Sequence, residues 1–417
     1  MTETLIRPTR RGLILGAGAL TAACATTRPS ARSDAARFPA TQAVLDGWVA
    51  AGKVPGATVG LRNADGTNAW LQAGRLDHDP ASRPVDRNSL FRIYSMTKPI
   101  TGAATALLIE DGRLTLDTPV ADFVPELARV QVATSPLRSL DARAPTTVMT
   151  VRHLLTHTAG FIYHFYGDQP VAAAYRRAGI FPVTGYNLST DPLDGPKVRD
   201  LDEMARRLGE IPLVADPGTA YAYSLSLDVM GLVIQRASGM AFPDFVQRRL
   251  FDPIGMDDTI WQLRPGDSAR FSALYDYKDG GRVARDDPRN SDYARPVTLF
   301  AGGAGLVSST QDYLAFLTTI LDGGRAGRVT VMKPETARLI RTDILPTAVP
   351  EAEGQGHGFA GSVDRTTGEY GWSGAAGTVA WLDPSAGTAV TVMLQRFNQA
   401  IDVDGDIREA LALDAGA

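Results

Sequence analysis

Ser95 and Lys98 stand three residues apart in the stretch Phe91-Arg92-Ile93-Tyr94-Ser95-Met96-Thr97-Lys98-Pro99. On a helix, residues three apart share one face about one turn from each other, so the Lys98 amine can reach the Ser95 hydroxyl. A serine hydroxyl is a weak nucleophile until a base takes its proton, and an amine held at this distance can act as that base. With five lysines and 19 serines in 417 residues, chance alone would give roughly 0.2 such pairs. The motif by itself therefore leaves open a coincidental Ser and Lys on a helix face.

The residues after Lys98 describe the element that must hold this pair. Pro99 is tolerated in a first turn, Ile100 to Ile109 is almost wholly apolar, and Gly112 falls where a C-terminal cap is wanted. A helix apolar all round is a core helix, and its N-terminus would support Ser95 with free N–H groups and the positive end of its dipole. The protein interior also favours the neutral amine of a lysine over its ammonium.

The chain is 44% hydrophobic and exceeds the usual size of one compact domain, so two domains or one with a large insertion are expected. Its formal charge is −4. The first 25 residues carry three arginines against Glu3, net +2, which leaves −4 − 2 = −6 on the remainder. That balance offers nothing to nucleic acid.

Residues 1–25 read as an export signal. Arg10-Arg11 opens a basic start, and Gly12 to Ala23 is apolar and small but too short to span a bilayer. Thr9-Arg10-Arg11-Gly12-Leu13-Ile14 fits a twin-arginine leader loosely, which would export a folded protein. Two exits compete: Ala23-Cys24-Ala25 has the form of ordinary cleavage, whereas Thr21-Ala22-Ala23-Cys24 resembles a lipoprotein signal with acylated Cys24. The expected location is the periplasm, with membrane attachment only through a lipidated Cys24. As Cys24 is the only cysteine, no internal disulfide can form and no thiol nucleophile exists elsewhere.

Residues 26–40, rich in Thr, Ser, Arg and Ala, read as a flexible stalk. The folded part then starts near Thr41 with a helical stripe of Val44, Leu45, Trp48 and Val49, followed by strands at 57–62 and 69–72. Past Gly112 no strand pattern is evident as far as about Ser268, and helices are expected at 201–208, 227–237 and from Pro243. Strands return at 358–363, 378–382 and 388–394, with a helix at 312–321 before them and another at 407–413 after. The expected organisation is a sheet domain from 41–112 and 300–417, whose end strands share one antiparallel sheet, with a mainly helical domain of 113–299 inserted. His153, His157 and His164 raise the question of zinc. No Glu lies between the first two in the His-Glu-x-x-His manner, so they are read as hydrogen-bonding histidines and no metal or other cofactor is expected. Aromatic residues from Phe161 to Tyr186 read as a pocket cover or as core.

Five motifs in order carry a resemblance: Ser95-x-x-Lys98; Leu154-Leu155-Thr156-His157-Thr158-x-Gly160; Pro217-Gly218 followed by Tyr223-Ser224; Gly302-Gly303-Ala304-Gly305-Leu306; and Gly371-Trp372-Ser373-Gly374-Ala375-Ala376-Gly377-Thr378. Together they resemble the serine β-lactamase and penicillin-binding protein superfamily, in its class C β-lactamase-like branch with the family VIII carboxylesterases. The resemblance implies a fold of the α+β type, an antiparallel sheet flanked by helices plus an all-helical domain, with the site between them. It implies Ser95 as nucleophile, Lys98 as base, Tyr223 as the second proton-handling residue, and the backbone N–H groups of Ser95 and Ala375 as oxyanion hole. Two positions depart from the class C β-lactamase pattern. Leu225 stands where Asn is usual, and Trp372-Ser373-Gly374 replaces Lys-Thr-Gly, so Leu225, Trp372, Ser373 and Gly374 are the expected substrate-binding residues.

The expected activity is hydrolysis of a small-molecule ester through an acyl-enzyme. A β-lactamase or D,D-peptidase is the rival enzyme, and a non-catalytic sensor on the same fold would have lost Ser95, Lys98 or Tyr223. An α/β-hydrolase is disfavoured because no Gly-x-Ser-x-Gly occurs in the chain. The leader is tested by the mass of the exported protein: a start at Thr26 shows soluble export, a diacylglyceryl Cys24 shows a lipoprotein, and an intact Met1 in the cytosol contradicts both.

Overall fold

The computed structural model describes residues 33–182, 196–278, 281–349, 355–397 and 401–416. The leader, Cys24, residues 26–32 of the stalk and Tyr186 lie outside the described residues. At the centre is a seven-stranded antiparallel sheet drawn from both ends of the chain. Its strands are β1 (Gly56–Arg62) and β2 (Asn68–Gly74) from the first part, and β7 (Gln355–His357), β8 (Ser362–Asp364), β9 (Tyr370–Ser373), β10 (Val379–Asp383) and β11 (Thr388–Leu394) from the last, in the order β7-β8-β9-β10-β11-β1-β2. The junction is β1 against β11, with Val59 opposite Val392.

Side chains alternate between the two faces of such a sheet, and here each face meets a different core. Val59, Leu61, Val390, Val392, Val379 and Trp381 point into one cluster with Leu45 and Trp48. Ala380, Leu382, Ala389 and Met393 point into the other and larger one. The first face is covered by α1 (Pro39–Ala50) and by α8 (Val403–Ala415). The Asp414 carboxylate accepts the backbone N–H groups of Ala40 and Thr41 at 2.7 and 3.0 Å, which satisfies donors that a helix start leaves unpaired. On the opposite face lies α7 (Thr310–Leu321), beneath Gly60 of β1, where a Cβ would come within 3.0 Å of the Thr310 methyl.

Between the two groups of strands the chain forms β3 (Leu90–Arg92), the helix α2 (Thr97–Glu110), and then α3 (Val151–Leu155), α4 (Pro170–Arg177), α5 (Leu201–Leu208) and α6 (Ser226–Ser238). Their apolar residues join α2 and α7 in the larger core, so Asp34–Ala417 forms one compact unit.

Three local expectations are corrected. The stalk does not extend to residue 40: a helical turn spans Asp34–Arg37, because Asp34 accepts the Trp70 N–H at 2.9 Å and Phe38 packs on the smaller core. The strand expected at 358–363 is two strands joined by a tight turn, with Ala360 at φ 59°. Within 113–299, β4 (Leu274–Lys278) and β5 (Gly281–Asp286) form a hairpin, and β4 runs parallel to β12 (Arg396–Phe397) at the end of β11.

That hairpin anchors the strand leading to Ser95, for β3 pairs with β6 (Val307–Ser309) and its Arg92 is fully buried. Asp286 meets the guanidinium at 2.6 Å, the Ser272 carbonyl and Gln395 Oε1 accept from it at 2.6 and 2.9 Å, and the Phe271 ring lies 3.8 Å away. Removing one partner of a buried pair leaves an uncompensated charge. Asp286→Ala should therefore lower unfolding stability by about 3–5 kcal/mol in urea titration; a loss under about 1 kcal/mol would contradict this role.

Candidate active site

Ser95 sits in a single 3₁₀ turn, Tyr94–Met96, that feeds α2 at Thr97. Tyr94 has φ 38°, a left-handed conformation that is costly for an aromatic residue and lifts the next side chain off the helix start. Lys98, in the first turn of α2, has no exposed surface, and its Nζ donates to Ser95 Oγ at 3.0 Å and to the Gly303 carbonyl at 2.8 Å. The Tyr223 hydroxyl donates to the same Oγ at 2.6 Å. Three groups named from the sequence thus meet on one oxygen, although Tyr223 is 128 residues from Ser95.

The backbone at Gly302 to Leu306 is brought to α2 by side-chain bonds. Thr101 Oγ1 donates to the Gly302 carbonyl at 2.7 Å, and the Leu306 N–H donates to Thr97 Oγ1 at 3.2 Å. A Cβ at position 303 would lie 2.7 Å from Asp228 Oδ2, so only glycine allows this approach.

His157 positions Tyr223. Its carbonyl accepts the Ala222 N–H at 2.9 Å and its Nδ1 accepts the Ser224 N–H at 3.2 Å, which places the ring proton on Nε2. On the other side, Tyr166 donates to the Tyr223 carbonyl at 3.0 Å. His157 also adopts φ 54°.

The end of β9 closes the site. At Gly374 a Cβ would fall 2.4 Å from the Ile93 carbonyl, so glycine lets this strand lie against the turn that carries Ser95. Ala375 is exposed, and its N–H donates to no acceptor among the described residues, which leaves it available to a ligand oxygen. Trp372 is half-buried, with its ring 5.9 Å from Tyr223, 5.4 Å from His357 and 6.5 Å from His157. Ser373 is exposed beside it and Gly374 is buried. Leu225 requires correction. It precedes α6 and is fully buried in the larger core, so it shapes the wall from behind and offers a ligand no surface.

Two site residues escaped the sequence reading as participants. Gly303 was visible only as part of a glycine motif, and Asp228 looked like one polar position in an amphipathic helix. Among the described residues no group of three His, Cys, Asp or Glu could hold a metal ion. His153 accepts the Thr150 N–H at 3.2 Å at the start of α3, and His164 packs edge-on against Phe181, so the three histidines serve separate surroundings.

A family model described as Beta-lactamase matches residues 41–414. The chain belongs to the β-lactamase family. It is 31% identical over 402 residues to esterase EstB of Burkholderia gladioli, covering 88% of this chain and 93% of EstB. EstCE1, described as a hydrolase with promiscuous acyltransferase activity, superposes with a TM-score of 0.72 at 25% identity over 91% of this chain and 99% of that one. Simvastatin synthase (LovD) of Aspergillus terreus gives a TM-score of 0.72 at 22% identity over 90% and 98% of the two chains, a likeness of fold. This β-lactamase family member has the β-lactamase/transpeptidase-like fold and is a serine hydrolase of the esterase-like branch.

Electrostatically the site is dominated by burial. It pushes His157 well below the ordinary histidine range, any proton gained by His357 or Lys98 acting the same way, and it lowers His357 to about 4 against the opposing charge of Asp343. Both rings are therefore neutral in the folded state at neutral pH, whereas an unfolded histidine binds its proton near ~6.5. A depressed folded value means stability is fully present above that pH and is lost as pH falls through about 4. The urea midpoint should decline over this window, and His357→Gln should flatten the decline; equal slopes in both proteins would contradict the assignment.

Proposed function

We propose that the protein hydrolyses uncharged carboxylic esters through an acyl-enzyme on Ser95. The convergence of Lys98 and Tyr223 on Ser95 Oγ carries this reading. Lys98 takes the Ser95 proton as Oγ attacks the ester carbonyl, and the resulting oxyanion is received by the N–H groups of Ser95 and Ala375. As the C–O bond breaks, Tyr223 gives its proton to the leaving alkoxide and is reprotonated from the Lys98 ammonium. Water then repeats the sequence: its proton passes to the Tyr223–Lys98 pair, its oxygen attacks the acyl carbon, and Ser95 leaves with a proton. Tyr221, the other local tyrosine, is 45% exposed and faces His157 and His357 with its ring, which supports Tyr223 for this role.

The preference for esters rests on Trp372. Where the lactamase pattern supplies a lysine for the substrate carboxylate, this chain presents an indole with large apolar area and one N–H donor, packed among Tyr223 and two neutral histidines. An uncharged acyl or alcohol group suits that wall better than an anion. An ester also has a better leaving group than an amide, so weak polar anchoring suffices for turnover. EstB and a lovastatin esterase of Penicillium rubens, 32% identical over 52% of this chain, carry esterase names, which supports the same preference. Under this proposal the enzyme works in the periplasm, a reading supported by the basic and apolar pattern of residues 1–25.

The test compares kcat/KM for p-nitrophenyl butyrate with that for opening the ring of a chromogenic cephalosporin, its ester and lactam hydrolyses followed separately. Ester cleavage should exceed lactam opening by at least about 10²-fold, and Tyr223→Phe should lower kcat for the ester by roughly 10²- to 10⁴-fold with KM little changed. Lactam opening faster than ester cleavage would contradict the substrate class, and a near wild-type Tyr223→Phe would contradict the proton route.

A further inference from the structure

Asp228 is a buried acid that the steps above do not use. It lies in the first turn of α6, five residues after Tyr223, with no exposed surface. Its Oδ1 accepts the Gly303 N–H at 2.9 Å, while Oδ2 has no hydrogen-bond partner. The carbonyl of that same Gly303 accepts from Lys98 Nζ at 2.8 Å. One glycine backbone therefore stands between the carboxyl and the amine, and a Cβ on it would collide with Oδ2.

An acid is an expensive way to fill such a place. A buried carboxylate oxygen without a partner is destabilising, and an apolar side chain on this helix face would avoid that. Burial pushes the Asp228 carboxyl up to about 7, and a proton gained by Lys98 draws it back down, so the two groups sense each other. The other titratable groups facing the pair are Tyr223 and Tyr163, whose rings lie 4.7 and 5.6 Å from Lys98 Nζ, and His157. Burial keeps Tyr163 and His157 neutral, which leaves the carboxyl as the nearby source of negative charge.

We propose that Asp228 is a positioning residue for the reaction: through Gly303 it holds the Lys98 amine on Ser95, and its carboxylate is the counter-charge that stabilises the ammonium formed when Lys98 takes the Ser95 proton. No atom of Asp228 is transferred in this step. The Ser95 O–H bond breaks, the Lys98 N–H bond forms, and the pair passes from a lone carboxylate to a carboxylate and ammonium. The inference rests on the acyl-enzyme reading of Ser95 and Lys98.

Asp228→Asn keeps the volume and an acceptor for the Gly303 N–H but removes the charge. The pH dependence of kcat/KM for p-nitrophenyl butyrate is measured for the wild type, this variant and Ser95→Ala. A carboxylate near an amine favours the ammonium form, so its loss should move the acidic limb of the profile to lower pH by about one unit and lower kcat roughly 10²-fold, with KM little changed. An acidic limb at its wild-type position would overturn the inference even if the plateau rate fell, because packing alone does not shift a titration. Turnover retained by Ser95→Ala would overturn the acyl-enzyme reading and this inference with it; a dead Ser95→Ala with an unshifted limb would overturn the inference alone. Should Asp228→Asn fail to fold, the wild type decides. Five lysines make the side-chain ¹³C resonances of labelled protein assignable, and the Lys98 signal should show an inflection near the Asp228 titration at about 7. A Lys98 signal that ignores that titration would overturn the inference.

Discussion

A primary amine enclosed in an apolar core must be given polar partners at close range, and in this protein the enclosed amine is that of Lys98. Its partners are the Ser95 hydroxyl and the Gly303 carbonyl. Meeting this demand dictates much of the surrounding backbone. The Gly302–Leu306 stretch must touch α2, so Gly302 and Gly303 carry no side chain, and Thr97 and Thr101 supply bonds that hold it there. A larger residue at 303 would strike the Asp228 carboxyl and withdraw the carbonyl from the amine. Helix α2 is thus tied to a loop 205 residues away by the same bond that orients the Lys98 amine.

The sheet serves the site by joining distant segments around the turn that carries Ser95. Pairing of β1 with β11 unites the chain's first and last thirds, and it places β9 so that Gly374 can approach Ile93. From the other side, β3 enters the turn with Arg92 clamped by Asp286, Ser272 and Gln395. The strained Tyr94 is therefore held between two well-anchored pieces of backbone, which is what a costly left-handed conformation needs in order to persist. Tyr223 arrives from the helical region on a segment whose carbonyl and flanking N–H groups are all fastened, to Tyr166 and to His157.

What the sequence made legible follows from the range of the interactions involved. Ser95 and Lys98 face each other through helical geometry alone, and local periodicity sufficed for β11 and α5, whose bounds at 388–394 and 201–208 agree with expectation. Tyr223 was reached through an ordered set of motifs and not from its own spacing. Leu225 was misplaced because a motif position says nothing about which way its side chain turns, and here the start of α6 turns it into the core. Asp228 was hidden for a related reason: a polar residue in a helix reads as solvent-facing until the tertiary structure shows both its faces covered. The hairpin of β4 and β5 lacked a legible pattern because most of β5 is exposed, Val283 and Ala284 included, so no buried face marks it, and the turn at Ala360 has neither glycine at the left-handed position nor proline to announce it.

The central claim is that the hydroxyl activated by Lys98 and Tyr223 is the one that is acylated. It is tested most directly by treating the protein with a fluorophosphonate and locating the adduct by intact mass and peptide mapping. The account predicts one adduct per chain, on Ser95, and none in Ser95→Ala. An adduct of equal yield that survives in Ser95→Ala would contradict it.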